Sequence, residues 1–316
     1  MTSAATSRLL GGYLCGTRLR RPRQPEEPPF EQVASLHRAL RSPRTTSANV
    51  ELGDRRWRPD DEQLANGLRE SLAHPNVVDL ILFGSQARGG MTGFSDVDAI
   101  LVISDDAADD ATALRALRPH VLAAQRAVLR YQPMQHHGFE VVTPRLLASA
   151  CLALPREALS ETCSLRGTSL AAATQNGDRA DERLVALSAS LTSADSWPTH
   201  PWKTHRLVAM FELLPTLYLQ ARGMSVPKWR SFALARDEFG QAWWPYDVLE
   251  EVRLLWPRER RRELELGVAI SRNPWAAVAA WRRLPGRLPQ PVSKLLDERL
   301  LSDLRELAST MTEQPR

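Results

Sequence analysis

Residues 81–103 read ILFGSQARGGMTGFSDVDAILVI. The run VVDLILF at 77–83 is continuous and apolar, which predicts a strand buried on both faces. It ends in Gly84-Ser85, and a turn rich in glycine (Gly84, Gly89, Gly90, Gly93) follows. Residues 96–103, DVDAILVI, then predict a second buried strand that opens with two acids. Residues i and i+2 of a strand share a face, so Asp96 and Asp98 stand together, while Val97 and Ala99 turn toward a core. Two carboxylates so close repel, and one tends to keep its proton unless a cation intervenes. Mg²⁺ prefers hard oxygen ligands, commonly one or two carboxylates completed by substrate phosphates. Asp96 and Asp98 therefore read as a pair that holds metal against a nucleoside triphosphate. Gly84 lets phosphates approach the backbone, and Ser85 offers them a hydroxyl and an N–H.

Outward from this segment, residues 59–73 and 107–130 predict helices, and MQHHGFEVVT at 134–143 predicts a third strand. Alternation there would put His136, Gly138 and Glu140 on one face. After about residue 150 strand signals vanish. Helices are expected over 179–192, 203–223, 229–240, 246–256, 258–271, 274–283 and 291–311. The expected organisation is a leader over 1–45, a mixed-sheet domain over 46–150 and an all-helical domain over 151–316. The leader is rich in Ser, Thr, Pro and Arg and is read as mostly unstructured, with a short helix near 30–41.

The order strand, Gly-Ser, ten-residue spacer, Asp-apolar-Asp, strand resembles the DNA polymerase β-type nucleotidyltransferase superfamily. The wording FGSQARG…SDVD is similar to its bacterial branch of minimal and aminoglycoside nucleotidyltransferases. The resemblance implies an α+β nucleotidyltransferase domain followed by a helical domain that closes over the nucleotide. It implies transfer of a nucleoside monophosphate, AMP from ATP by default, to an acceptor hydroxyl with release of pyrophosphate. Two Mg²⁺ ions would assist. It also implies a third carboxylate from a later strand that ligates the catalytic metal or acts as base toward the hydroxyl, and Glu140 is the candidate for it, so that the expected metal ligands are Asp96, Asp98 and Glu140. Arg88 in the turn is expected to structure the loop or touch phosphate, and Ser95 to cap the loop or contact nucleotide. His136 and His137 are candidates for phosphate binding or proton transfer, with no spacing that suggests zinc.

Lysine is scarce: only Lys203, Lys228 and Lys294 occur among 41 basic residues. In the resembled family a lysine after helix, glycine and short loop reaches the β- or γ-phosphate, and Lys228 after Gly223 matches that placement. Trp229, Trp243 and Trp244 are read as core of the helical half, with stacking on a base or sugar as the other reading. The stretch RERRRELE at 258–265 alternates in sign and reads as a solvated helix face.

The chain has 316 residues with 43% hydrophobic and 25% charged, which suits two globular domains. Its net charge is only +4, and the arginine excess accompanies Ala, Leu and Pro richness, which reads as GC-rich bacterial coding. An RNA-directed enzyme of this fold would need an extended basic, aromatic groove, so it ranks behind a small-molecule or protein acceptor. A non-catalytic, antitoxin-like regulatory module is the third reading, disfavoured by the presence of both aspartates. No run approaches the ~18 apolar residues a membrane helix requires. Cys15, Cys151 and Cys163 are far apart without a CxxC pair, which suits a reducing cytosol.

Overall fold

The computed structural model describes residues 3–17, 30–40, 49–59, 61–149, 152, 159, 161–173, 180–224, 226–257 and 262–313. Residues 1–2, 18–29 and 41–45 of the expected leader, Cys151 and the first half of the basic stretch 258–265 lie outside them. The chain divides into two compact units. The first holds residues 1–91, 95–176 and 259–283, and the second holds 92–94, 177–258 and 284–316.

The first unit contains the strands β1 (Asn49–Leu52), β2 (Arg55–Arg56), β3 (Val77–Leu82), β4 (Ala99–Ile103), β5 (Glu140–Val142), β6 (Cys163–Ser164) and β7 (Leu170–Ala173). Five form one sheet in the order β2-β6-β3-β4-β5, and β1 pairs separately with β7. β3 and β4 are antiparallel, and β4 and β5 are parallel. The parallel step needs a crossover, and the helix Ala111–Tyr131 supplies it. All five residues of β4 are buried, as are Leu80, Ile81 and Leu82 of β3. Each such side chain contributes about 1.5–3 kcal/mol on leaving water. The helix Glu62–Ser71 starts where Asp61 accepts a hydrogen bond from the Leu64 N–H at 2.8 Å, and Leu64, Ala65 and Leu68 form its buried stripe.

Several expectations are corrected here. Strand structure does not stop at 150: β6 joins the main sheet and β7 pairs with β1. Their sequences, CS and LAAA, are short and lack the β-branched or aromatic run that announces a strand. The third strand is confined to Glu140–Val142, so residues 134–139 approach it as loop and strict alternation does not govern His136 and Gly138.

The N-terminal stretch is not all unstructured. Residues Ser3–Leu14 form a helix whose Leu10 and Leu14 are fully buried. It lies along the outer edge of β5, where Ser7 Oγ donates to the Val141 carbonyl at 2.9 Å. A Cβ on Gly11 would come 3.5 Å from the Phe139 carbonyl, so small residues on this face let helix and strand edge meet. Thr6, Ser7, Leu10, Gly11 and Leu14 make up its buried face. Cys15 is a free thiol here, and burial pushes it up to about 12 against a weaker lowering by the Phe139 carbonyl contact.

The helix Phe30–Arg38 carries His37, which is fully buried. Its ring meets Asp109 at 2.7 Å through Nδ1 and the Thr143 hydroxyl at 2.9 Å through Nε2. Arg145 grips Asp109 with both terminal nitrogens, at 3.1 and 3.4 Å, and its backbone N–H donates to Asp105. Burial raises the Asp109 carboxyl, but the hydrogen bonds and charges of His37 and Arg145 outweigh it and hold the group below 3.8. A depressed carboxyl contributes stability above its unfolded value that is lost as pH falls through the folded one. Arg145→Ala is therefore expected to move acid unfolding to higher pH, read as a circular-dichroism midpoint. A midpoint identical to that of the unaltered protein would remove Arg145 from this role.

The helices Arg262–Ile270 and Pro274–Trp281, expected with the helical half, belong to the first unit. Arg126 donates to the Ser271 carbonyl at 2.8 Å, Asn273 to the Gly16 carbonyl at 2.9 Å, and the Trp275 indole to Gln125 at 3.1 Å.

The second unit is helical. The expected helix 203–223 is two, Pro201–Phe211 and Leu214–Ala221, because Pro215 starts the second rather than continuing the first. Helices follow at Lys228–Phe239, Trp244–Leu255, Gln290–Leu295 and Glu298–Glu313, with Ala180–Thr192 before them. Trp243 is fully buried and stacks on Tyr246 at 4.3 Å, so it is core. Trp244 lies under Arg299 at 5.2 Å, and Trp229 is 53% exposed. Phe94 also belongs to this unit: it stacks on His205 at 3.9 Å, and its carbonyl meets the His205 ring at 2.9 Å.

Candidate active site

β3 ends at Leu82, and the Phe83 N–H still bonds the Asp98 carbonyl at 3.1 Å. The β3–β4 pairing thus runs one step past the strands and sets Asp98 beside Gly84. Gly84 has φ +66°, and a Cβ there would lie 2.9 Å from Asp98 Oδ2. Only glycine leaves this carboxylate room against the backbone. Ser85 begins the short helix Ser85–Arg88, and its hydroxyl donates to Met91 Sδ at 3.0 Å, which ties the turn together. Val97 and Ala99 are buried, as expected for the residues alternating with the acids.

Asp96 and Asp98 precede β4 rather than lying in it, and a side chain not foreseen from sequence holds them. Gln135, 1% exposed, accepts from the Val97 N–H at 2.8 Å and donates to the Val97 carbonyl at 3.0 Å. Its amide stands in for a neighbouring strand at the residue between the two aspartates. Gln132 supports the residue before Asp96, donating to the Ser95 carbonyl at 2.7 Å while its oxygen accepts from the Met134 N–H at 3.1 Å. A glutamine carries no charge or metal-binding signature, so nothing in the sequence marks either one.

The two histidines come to the aspartates. His136 Nδ1 is 2.7 Å from Asp96 Oδ2, and His137 Nε2 is 3.1 Å from Asp98 Oδ1. Burial lowers the His137 pKa. The bond to Asp98 and the charges of Asp98 and Asp96 more than offset this and raise it to about 9. Asp96, His136 and His137 each offer a ligand atom, and these atoms lie within 4.8 Å of one another. A divalent cation fits this donor set, with Asp98 adjoining it through His137.

Glu140 is placed by register. It pairs with Ile100 in parallel β5, which sets it on the face of Asp98 but two residues farther along, about 6.6 Å in a strand. It is not among the three clustered ligand groups. Arg88 Nε lies 3.8 Å from Glu161. Ser95 is buried, 5% exposed. In the second unit, Lys228 is the first residue of its helix rather than a loop residue, and its Nζ donates to Glu212 at 2.8 Å. Glu212 is 1% exposed and also meets Arg253 at 3.1 Å.

Residues 62–131 match the family model of the nucleotidyltransferase domain. The matched segment spans the helix 62–71, β3, the glycine turn, both aspartates, β4 and the crossover helix. It stops before Gln135, His136, His137 and Glu140. A search of curated proteins finds no match. The matched domain supports a transferase that moves a nucleoside monophosphate. Among the described residues no helix is long and apolar enough to cross a membrane.

Proposed function

We propose that this protein transfers a nucleoside monophosphate, AMP from ATP, to a hydroxyl of a small molecule or a protein and releases pyrophosphate. The observation that carries the reading is the seating of Asp98 against the Cβ-free backbone of Gly84, with Asp96 two residues away. The acceptor oxygen forms a bond to the α-phosphorus, the bond from that phosphorus to the bridging oxygen breaks, and pyrophosphate leaves. A bound divalent cation supplies charge neutralisation at the phosphate oxygens. Asp96 and Asp98 would hold that cation, and Mg²⁺ is what two carboxylates alone favour. Gly84, Ser85, Arg88 and Ser95 line the triphosphate in this reading. Glu140, on the face of Asp98, takes the hydroxyl proton as the third carboxylate.

Lys228 is assigned to the β- and γ-phosphates from its placement after helix, glycine and short loop; its side chain is 41% exposed, and its ammonium has two N–H donors beyond the bond to Glu212. Lys228→Ala is expected to weaken triphosphate binding about tenfold and monophosphate binding much less, by calorimetry. Equal losses for both would take Lys228 out of the site.

Gln135→Ala should lower kcat for transfer by about 10–100-fold while the nucleotide KM moves little, because the aspartates lose their register rather than their charge. A raised KM at unchanged kcat would contradict the positioning role.

The function itself is tested by label transfer. The protein is incubated with Mg²⁺ and α-³²P nucleoside triphosphates in a lysate of its source organism, beside the Asp98→Asn variant. Label in a protein or small-molecule fraction, absent with the variant, supports the proposal and names the acceptor class. Label in RNA ends would overturn the acceptor assignment. Absence of label in every fraction, with nucleotide binding intact, would overturn the transferase reading.

A further inference from the structure

The geometry points to a mixed carboxylate–imidazole cation site, in which His136 and His137 join Asp96 as direct ligands and select a first-row transition dication over Mg²⁺. This rests on the reading of the aspartates as metal ligands and deepens it.

The two rings sit at the acids rather than beside them. Nδ1 of His136 is 2.7 Å from Asp96 and Nε2 of His137 is 3.1 Å from Asp98, and the ligand atoms of Asp96, His136 and His137 are within 4.8 Å of one another. Ligand atoms about 2.1 Å from one ion are separated by less than that bound. The rings are nearly perpendicular, 87° with centroids 4.7 Å apart, so each turns one nitrogen to its own aspartate without the rings stacking.

The His137 ring is also held from behind. Gln135, which clamps Val97, donates to the His137 carbonyl at 3.0 Å, so the amide that positions the acids also positions His137. His137 Nδ1 is 3.1 Å from the Gly138 carbonyl. With Nδ1 engaged there, Nε2 is the ring nitrogen left facing Asp98. A ring N–H anchored on a carbonyl is the usual support of a metal-bound histidine. Gly138 packs against the Cys15 side chain, where an added Cβ would meet Cys15 Cβ at 2.9 Å. The carbonyl that orients the ring therefore belongs to a tightly packed turn.

The ligand chemistry sets the class of cation. Mg²⁺ sheds water reluctantly and wants oxygen in octahedral order. Imidazole nitrogen suits borderline cations, and their affinity for mixed nitrogen and oxygen sites rises across the first row. Two nitrogens and a carboxylate bind Mn²⁺ or Co²⁺ better than Mg²⁺, and carboxylate and phosphate oxygens remain acceptable to both.

The test uses the full chain stripped of metal and titrated with Mn²⁺, free Mn²⁺ being counted by electron paramagnetic resonance and Mg²⁺ used as competitor. Pulsed resonance on the bound ion reads ¹⁴N coupling from imidazole. The expected result is ¹⁴N coupling in the unaltered protein and Mn²⁺ bound at least about tenfold more tightly than Mg²⁺. His136→Gln and His137→Gln should each reduce the coupling and shrink the preference by about tenfold, with little change in Mg²⁺ affinity. Bound Mn²⁺ without ¹⁴N coupling would overturn the inference from the unaltered protein alone, whatever the variants do. Preference unchanged in both folded variants would overturn it too. Nucleotide transfer measured on the same preparation separates the two readings. Transfer without ¹⁴N coupling rejects only the imidazole ligands, and coupling with no transfer to any acceptor counts against the transferase reading while supporting the cation site.

Discussion

Asp98→Asn is expected to lose about 10³-fold or more in kcat/KM for nucleotidyl transfer while melting like the unaltered protein. The substitution is isosteric, so the room left by the missing Cβ of Gly84 accepts the amide as it accepts the carboxylate. An asparagine oxygen can still take a hydrogen bond from His137, so the local fold has no reason to open. What disappears is one negative charge at the place where, in the proposed reaction, cation and triphosphate meet. A thousandfold loss corresponds to about 4 kcal/mol of transition-state stabilisation, the scale seen when a positioned electrostatic group is removed. Asp96→Asn should match it, since Asp96 belongs to the ligand cluster itself. Steady-state transfer of α-labelled nucleotide, with circular-dichroism melting as the folding control, measures both. Retention of the unaltered rate by either variant would displace the active site from this pair.

Asp79→Ala should cost about 3–5 kcal/mol of stability, enough to leave many domains unfolded. Asp79 is fully buried in β3, yet nothing about it is unsatisfied. Its carboxylate accepts from the Leu80 N–H at 2.7 Å, the Arg166 N–H at 3.0 Å, the Thr168 N–H at 3.1 Å and the Ser164 hydroxyl. It thereby fastens the turn after β6 onto β3, and the Arg166 side chain continues the tie to the carbonyls of Val77 and Leu72. Alanine strips a charged acceptor from several donors at once and leaves them facing apolar surroundings. Urea denaturation reads the loss, and Asp79→Asn, which keeps two acceptor lone pairs, should lose less. A change within about 0.5 kcal/mol for the alanine variant would contradict this account.

Asp79 also shows what the sequence alone could carry. VVDLILF reads as an apolar strand, and it is one, but the acid inside it is explained only by a turn some 85 residues away in the chain. The central hairpin was legible because its signals are local: apolar runs, a glycine turn and acids two apart. The helices after 180 were legible from periodicity and proline punctuation. β1, β2, β6 and β7 were not, since strands of two to four residues owe their existence to their partners. The candidate site divides the same way. Asp96, Asp98, Gly84 and Ser85 announce themselves by spacing. Gln135 does not, because its role is to imitate a backbone, and no residue pattern encodes that. His136 and His137 were visible as residues, but their approach to the aspartates depends on a loop that the sequence presents as strand.

The helix Ser3–Leu14 carries a practical consequence for anyone handling this protein. It lies along the open edge of β5, a place where another chain could otherwise add a strand. A shortened version starting near residue 20 would look harmless by the usual criteria of tail trimming, since it keeps both aspartates and every strand. It would instead present bare backbone amides and carbonyls to its neighbours, and the preparation would clump through its sheets before any assay was run.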